Sequence, residues 1–526
     1  MLTPTRRALF AALAGAAMPI GASAAQKPGG SVSVVPLPEP ARLQCAIDTG
    51  VPVQLVSAKM HNGLIGYDGS FDKPVPDLAT ACDIAPDGKT ITFKLRQGVK
   101  WHDGQPFTAA DVKFTIEQVV KKYHSRGRAV FANVTVDTPD EFTAIFNLAK
   151  PAPFIMSVLH PSETPMVPKH IYETGDVLSN PANNAPIGTG PFKFKEWKHG
   201  SYILLEKNPD YHFSGKPYLD QVVFKIIPDA GARAVSFESG ELDIGGPWPV
   251  SMTDLQRYQG GGKLAVTTEG YGPFATMDFF EFNLRDPLFQ DVRVRQAIAH
   301  CIDQSFIVDT ILFGFAKPAT GPISQDMAKF YTDKVPRYPV DLKLAETLLD
   351  EAGHKRGADG IRFSFTLDPV PYGDRYAQMG EYIVQALDPV GLKVNIRTQD
   401  VASWLRRVYT TRDCQTYIYG IYNMMDPSIG VQRQYYSKSI QDGVVFSNGS
   451  GYRNARVDAI FEQAQTEPDQ AVRKKLFDEF QAIIATDLPN IALVGEEPAT
   501  IYNKRVGNLD AGLMGIYENF ADITVS

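Results

Sequence analysis

Residues 361–397 decide the fold class: Ile361-Arg362-Phe363-Ser364-Phe365-Thr366-Leu367 reads as a strand, Arg375 to Leu387 as a helix, and Lys393-Val394-Asn395-Ile396-Arg397 as a second strand. A strand, a helix and a strand in that order form a βαβ unit, whose two strands are expected to run parallel. The pattern continues outward. Asp341 to Ala352 carries Leu342, Ala345, Leu348 and Leu349 at helical spacing before Gly353. Asp291 to Phe313 does the same with Val294, Ala297, Ile298, Cys301 and Ile302, ending at Gly314. Near the end, Leu476, Phe480, Ile483 and Ile484 line another helix. On the N-terminal side, Ile91, Phe93 and Leu95 alternate with Thr92, Lys94 and Arg96, a half-buried strand entered through the Asp87-Gly88 turn. Thr108 is placed to cap the helix that follows, with Asp111 in its first turn. Strands and helices alternating along the chain predict an α/β protein. No short repeat or low-complexity linker separates domains, so chain crossings are expected to weave them together.

The chain opens Met1-Leu2-Thr3-Pro4-Thr5-Arg6-Arg7, continues with an apolar run from Ala8 to Ile20, and reaches Ala22-Ser23-Ala24. A membrane-spanning helix needs roughly 20 apolar residues, and this run is shorter, so residues 1–24 read as a cleaved signal peptide. The paired arginines favour the twin-arginine route. The expected location is the periplasm, without membrane insertion and without a lipid anchor, since no cysteine stands at the cleavage point. Removing Arg6 and Arg7 with the signal takes the formal charge from −7 to −9. A mildly acidic surface argues against nucleic acid as a partner. Hydrophobic residues at 44% and charged ones at 21% describe an ordinary globular chain, long enough for two or three domains. Cys45, Cys82, Cys301 and Cys414 allow one or two disulfides in an oxidising compartment, in a pairing the sequence leaves open. Cys301 reads as a small core residue.

Chemistry is hard to find. The sequence has no G-x-S-x-G elbow, no H-E-x-x-H motif and no C-x-x-C pair. Its nine histidines form no i,i+3 or i,i+4 pair. No enzyme activity, metal site or cofactor is expected, and a secreted hydrolase acting on peptides or glycosides is the alternative. Aromatic residues in or near loops and strand ends are more suggestive: Trp248, Tyr271, Phe274, Tyr372, Trp404, Tyr417, Tyr419 and Tyr422. Tyr417 and Tyr419 alternate in one strand and therefore face the same side.

Several segments, in order, resemble the peptide- and nickel-type solute-binding proteins of ABC importers (family 5). They are Pro76-Asp77-Leu78-Ala79, Pro86 to Gly104 with its Trp101-His102-Asp103-Gly104 end, and Thr108-Ala109-Ala110-Asp111-Val112. Gly188-Thr189-Gly190-Pro191-Phe192, Asn208-Pro209-Asp210-Tyr211, Gly240-Glu241-Leu242-Asp243-Ile244, Asp291 to Ile298 and Gly451-Tyr452-Arg453-Asn454 continue the match. The resemblance implies a two-lobed periplasmic-binding-protein-like fold of the large, three-subdomain variety (type II), closing on a ligand cleft. It implies an N-terminal lobe over 25–270 with an extra subdomain at about 66–184, a second lobe over 271–497, and a segment 498–526 that completes the first lobe. It also implies a monomer that binds a small solute, peptide-like or otherwise polar, and delivers it to permease subunits driven by cytoplasmic ATPases. Relatives that hold nickel or haem leave open a metal carried inside a chelator.

In many peptide-binding relatives an aspartate three residues before an acidic-Pro pair takes the peptide's α-amine, and a tryptophan precedes that aspartate by three. Here Asp426-Pro427 is the pair, Asn423 takes the aspartate's place and Gly420 the tryptophan's. A neutral amide lacks the charge that strengthens a bond to an ammonium, so the resemblance carries less weight for free-amino peptides than for a modified amino acid, a blocked peptide, an opine-like conjugate or a saccharide. Arg375, at a helix start after Pro371-Tyr372-Gly373, is either a partner for a ligand carboxylate or a solvated surface residue. The expected ligand-binding set is Asn423, Tyr419, Tyr422, Trp248, Trp404, Tyr372, Arg375 and Asp426.

Overall fold

The computed structural model describes residues 29–67, 74–509 and 512–526. The proposed signal peptide, residues 1–24, lies outside them. Two compact units emerge. One is the chain up to Pro273 together with Pro498–Ser526, and the other is Phe274–Glu497.

The first unit is built on a seven-stranded sheet in the order Leu264–Thr267, Thr500–Asn503, Ile244–Gly245, Ser31–Val35, Gln221–Lys225, Tyr202–Lys207, Phe192–Lys198. Ser31–Val35 pairs in parallel with both Gln221–Lys225 and Ile244–Gly245. A separate antiparallel sheet joins Ala79–Ile84, Thr90–Leu95, Thr143–Leu148 and Val134–Asp140. Its Ile91, Phe93 and Leu95 are buried, as their alternation predicts. Thr108 precedes the helix Ala109–Phe114, and the Asp111 carboxylate accepts the Thr108 backbone N–H at 2.9 Å.

The second unit holds a six-stranded sheet in the order Ala316–Pro318, Asn490–Glu496, Thr276–Phe282, Thr416–Tyr422, Phe363–Pro369, Leu392–Ile396. The βαβ unit is there: Phe363–Pro369 and Leu392–Ile396 are parallel, joined through the helix Asp374–Leu387. That helix buries Tyr376, Met379, Gly380, Ile383 and Leu387, one stripe at helical spacing against the sheet. All seven residues of Thr276–Phe282 are buried, the mark of a strand covered on both faces. A core of Val457, Ile460, Phe461, Phe477, Phe480 and Ile484 packs the helices Ala455–Ala464 and Gln470–Asp487 together.

Two expectations are corrected. The helix read over 291–313 is two: Val292–Ala299 ends, and a new helical segment starts at Gln304–Phe306. Asp303 interrupts it, because its carboxylate accepts the Ser305 N–H at 2.9 Å and caps the second segment in place of continuing the first. The disulfides do not form. All four cysteines are buried free thiols, with Cys301 Sγ donating to the Ala297 carbonyl at 3.2 Å as a core residue does. No described helix is long and apolar enough to cross a membrane.

Candidate functional site

The second unit's sheet contains a topological switch point. From Phe363–Pro369 the chain crosses to Leu392–Ile396 on one side, then returns past it to Thr416–Tyr422 on the other. Connections leaving the carboxyl ends of Phe363–Pro369 and Thr416–Tyr422 therefore diverge, and such a crevice is where open α/β sheets bind ligands. The loops at that edge are 370–373 and 423–426.

Polar side chains gather beside the first loop. Arg375 Nε donates to Glu496 Oε1 at 2.8 Å, and Nη1 donates to the Tyr372 carbonyl at 3.3 Å. The guanidinium lies 4.5 Å from the Tyr376 ring centre. Tyr376 Oη donates to Asp278 Oδ1 at 3.0 Å. Burial, and then the Glu496 charge, push Asp278 well above the usual carboxylate range. Burial opposes the Arg375 cation, but Glu496, Tyr376 and Asp278 outweigh it and raise its pKa. Arg375 is thus not the solvated surface residue of one reading. Its charge is already matched by a carboxylate of its own chain.

An aromatic run leads inward from the same loop. Tyr372, 42% exposed, lies 6.3 Å from half-buried Phe446. Phe446 lies 6.5 Å from Trp404 and 5.7 Å from Tyr409. Trp404 stands 5.8 Å from Tyr409 and 5.9 Å from Tyr417, which stands 5.3 Å from Tyr419. Tyr417 and Tyr419 do share one face, as the alternation requires.

Of the expected site residues, the structure brings Tyr372, Trp404 and Tyr419 into this run and sets Arg375 at its mouth. Trp404 itself is fully buried and donates its indole N–H to the Asp368 carbonyl at 3.0 Å. Tyr422 packs on Phe274 at 5.5 Å. Asn423 is fully buried, and its amide is used internally: Oδ1 accepts the Ser324 N–H at 2.7 Å, and Nδ2 donates to the Pro322 carbonyl at 3.2 Å. Asp426 forms a buried two-pronged ion pair with Arg473, at 2.8 and 2.9 Å. It also caps the short helix Pro427–Gly430. Trp248 belongs to the first unit. Sequence reasoning passed over Asp278, Glu281, Glu496, Tyr376, Tyr409 and Phe446. One signal was available: Asp278 and Glu281 interrupt the apolar run from Thr276 to Phe282, and an acid inside such a strand is costly unless used.

The glycine at 420 also has a local reason. A Cβ there would lie 2.3 Å from Tyr376 Oη and 2.6 Å from Asp278 Oδ1, so the Tyr376–Asp278 bond occupies the space a larger residue would need. Among the described residues, no three His, Cys, Asp or Glu side chains are grouped to hold a metal ion.

Residues 73–443 match the family described as bacterial extracellular solute-binding proteins, family 5. The chain belongs to this family. A putative ABC transporter peptide-binding protein of Brucella ovis is 31% identical over 69% of this chain and 68% of its own. The oligopeptide-binding protein AppA of Bacillus subtilis is 30% identical over 78% of this chain and 76% of its own. Among solved structures, AgaA of A. tumefaciens R10, in complex with agropinic acid, has TM-score 0.77 and 26% identity over 94% of this chain and 99% of AgaA. The fold is that of the family 5 binding proteins, and the function of the family 5 chain is to bind solute for an ABC importer. These relatives are transporter binding proteins, which favours that reading over a secreted hydrolase.

Proposed function

We propose that this protein captures a small polar organic solute, peptide-like or an amino-acid conjugate, outside the cytoplasmic membrane and releases it unaltered to its permease. The observation that carries this is the aromatic run from exposed Tyr372 to buried Trp404, beside the charge-balanced Arg375–Glu496 pair at the switch point. Rings of this kind bind the apolar body of a solute, while a few fixed polar groups orient it. Because Asn423 is occupied by Pro322 and Ser324, it orients the loop over which a ligand passes and is not its amine partner. Relatives named for oligopeptides and a structure holding agropinic acid span the chemical range we assign. The protein acts as a monomer, exported by a twin-arginine signal in residues 1–24 and partnered by permease and ATPase subunits.

The deciding experiment is purification from the native periplasm, denaturation, and mass spectrometry of the released solute. Recovery of one polar organic compound that raises the melting temperature on addition back supports the proposal. Turnover of peptides, esters or glycosides on incubation overturns it. Peptide mapping tests export: the mature chain is expected to begin at Ala25, and replacing Arg6 and Arg7 by lysine is expected to retain the precursor in the cytoplasm. Size-exclusion chromatography at micromolar concentration tests the monomer.

A further inference from the structure

The inner end of the aromatic run closes on an acid without a cation. Glu281 is 1% exposed. Its Oε2 accepts Tyr419 Oη at 3.1 Å and Asn490 Nδ2 at 2.8 Å. Among the described residues no lysine, arginine or histidine forms an ion pair with it, and a buried carboxylate with no counter-charge is an expensive arrangement. Burial accordingly pushes its pKa up to about 7, against the hydrogen bonds from Asn490, Tyr419 and Ser450.

Two further polar atoms in the same cluster have no hydrogen-bond partner among the described residues, Tyr409 Oη and Gln434 Oε1. Both side chains are buried. Their placement follows from their neighbours. Gln434 Nε2 donates to Tyr419 Oη at 3.0 Å, and Tyr419 Oη donates onward to Glu281, so the orphan Oε1 sits on the amide next to that relay. A Cβ on Gly449 would lie 2.1 Å from Tyr417 Oη and 3.3 Å from Tyr409 Cε1. The bare glycine therefore leaves room for the Tyr417 hydroxyl and the edge of the Tyr409 ring. Buried polar groups are nearly always satisfied, so each one left over calls for a partner such as a bound water, an ion or a ligand group.

Every group in the surplus can accept a hydrogen bond. Gln434 Oε1 only accepts, a Tyr409 hydroxyl accepts as well as donates, and Glu281 is an acceptor when ionised. Phenol and indole rings pack around the cluster, and the faces of such rings attract cations. Arg412 and Arg433 bear on Tyr409, yet Arg412 Nη1 is directed to the Val408 carbonyl at 3.0 Å and Arg433 Nε to the Gly430 carbonyl at 3.1 Å. Neither figures among the influences on Glu281. Outside the cluster, Phe446 adopts φ 52° on a loop where Val444 and Val445 are 46% and 44% exposed. Its ring meets those of Tyr372, Trp404 and Tyr409 and so joins the exposed end of the run to the buried one.

The geometry points to a subsite for a terminal ammonium on an alkyl stem: the stem lies along Tyr372, Phe446 and Trp404, and the ammonium ends among Tyr409, Gln434 and Glu281. This rests on the solute-binding reading and names the class of solute.

The full mature chain is titrated calorimetrically with L-lysine, cadaverine and glycyl-lysine, and with their Nε- or N-acetylated forms. The amines are expected to bind at least about tenfold tighter than the acetylated forms. Glu281→Gln is expected to lose about tenfold in affinity. Tyr409→Phe is expected to weaken binding while raising the melting temperature, because it removes an unmet buried hydroxyl. A merely structural cluster would give the second change without the first. Equal binding of acetylated probes, or unchanged affinity in Tyr409→Phe, overturns the inference, and that variant carries the test if Glu281→Gln does not fold. If none of the probes binds, the solute released from the native protein decides: an alkylammonium compound supports the subsite, and a solute without an amine overturns it while leaving the importer reading intact. Recovery of no solute by either route also overturns it.

Discussion

Glu281 stands in a strand whose seven residues are all buried, so its charge is opposed by its surroundings and not by any neighbour. That makes the pH dependence of folding readable. The unfolded carboxyl titrates near 4.5 and the folded one at about 7, so between these values the folded state holds the extra proton. Its contribution is therefore full below pH 4.5 and declines as pH rises, by about 3 kcal/mol at about 1.4 kcal/mol per unit, levelling off above pH 7. Urea unfolding of wild type and Glu281→Gln at pH 4.5, 6, 7 and 8 should show a gap that changes over this window. Asp77, also pushed to about 7 by burial, is present in both proteins and cancels. A constant gap would refute the assignment. Asp426 gives a second residue-scale prediction. Removing it leaves Arg473, 2% exposed, as an unpaired buried cation, so Asp426→Ala should cost about 3–5 kcal/mol in chemical denaturation without any ligand present. A loss under 1 kcal/mol would return Asp426 to the list of binding groups. Both residues show where sequence reading stops. The offset of Asn423 from Asp426-Pro427 is visible in the chain, but the occupants of its amide, Pro322 and Ser324, come from about a hundred residues away, and only folding brings them there.

The strand Thr416–Tyr422 and the helix Asp374–Leu387 meet through Gly420, where Tyr376 Oη and Asp278 Oδ1 fill the place of a side chain. Gly420→Ala should destabilise by about 1–3 kcal/mol through overpacking. Adding Tyr376→Phe removes the atom in closest conflict. The double variant should then lose at least about 1 kcal/mol less than the two single losses together, a coupling that a double-mutant cycle measures. Strict additivity would mean that the strand and helix relax apart. Elements of this unit were legible where the forces were local: strand, helix and strand over 361–397 followed from short β-rich runs and an amphipathic stripe. The break after Ala299 was not, because the apolar spacing continues through Cys301 and Ile302 while Asp303 competes for the backbone. Sheet order was not legible either. Thr416–Tyr422 inserts between Thr276–Phe282 and Phe363–Pro369, and no local pattern specifies such distant partners.

The two compact units differ in how the chain closes them. Phe274–Glu497 is continuous, whereas the other unit needs Pro498–Ser526 from the far end of the sequence. Thr500–Asn503 is an interior strand of the seven-stranded sheet: Tyr502 pairs with Ile244 on one side and with Ala265 on the other. The segment also serves Lys59, a fully buried lysine. Its Nζ donates to the Ile516 carbonyl at 2.6 Å and lies 4.0 Å from the Phe520 ring centre, and burial pulls its pKa well below the usual lysine value. Deleting 498–526 would strand Leu264–Thr267 from Ile244–Gly245 and leave that amine without its acceptor. The deletion should therefore abolish slow amide exchange at Ser31–Val35, Gln221–Lys225 and Ile244–Gly245, while Thr276–Phe282 and Thr416–Tyr422 keep theirs. Hydrogen exchange with mass spectrometry resolves these peptides separately. Protection surviving in the first three would show that this sheet is stable without its returning strand. Loss in all five would show that the continuous unit does not fold independently of the other.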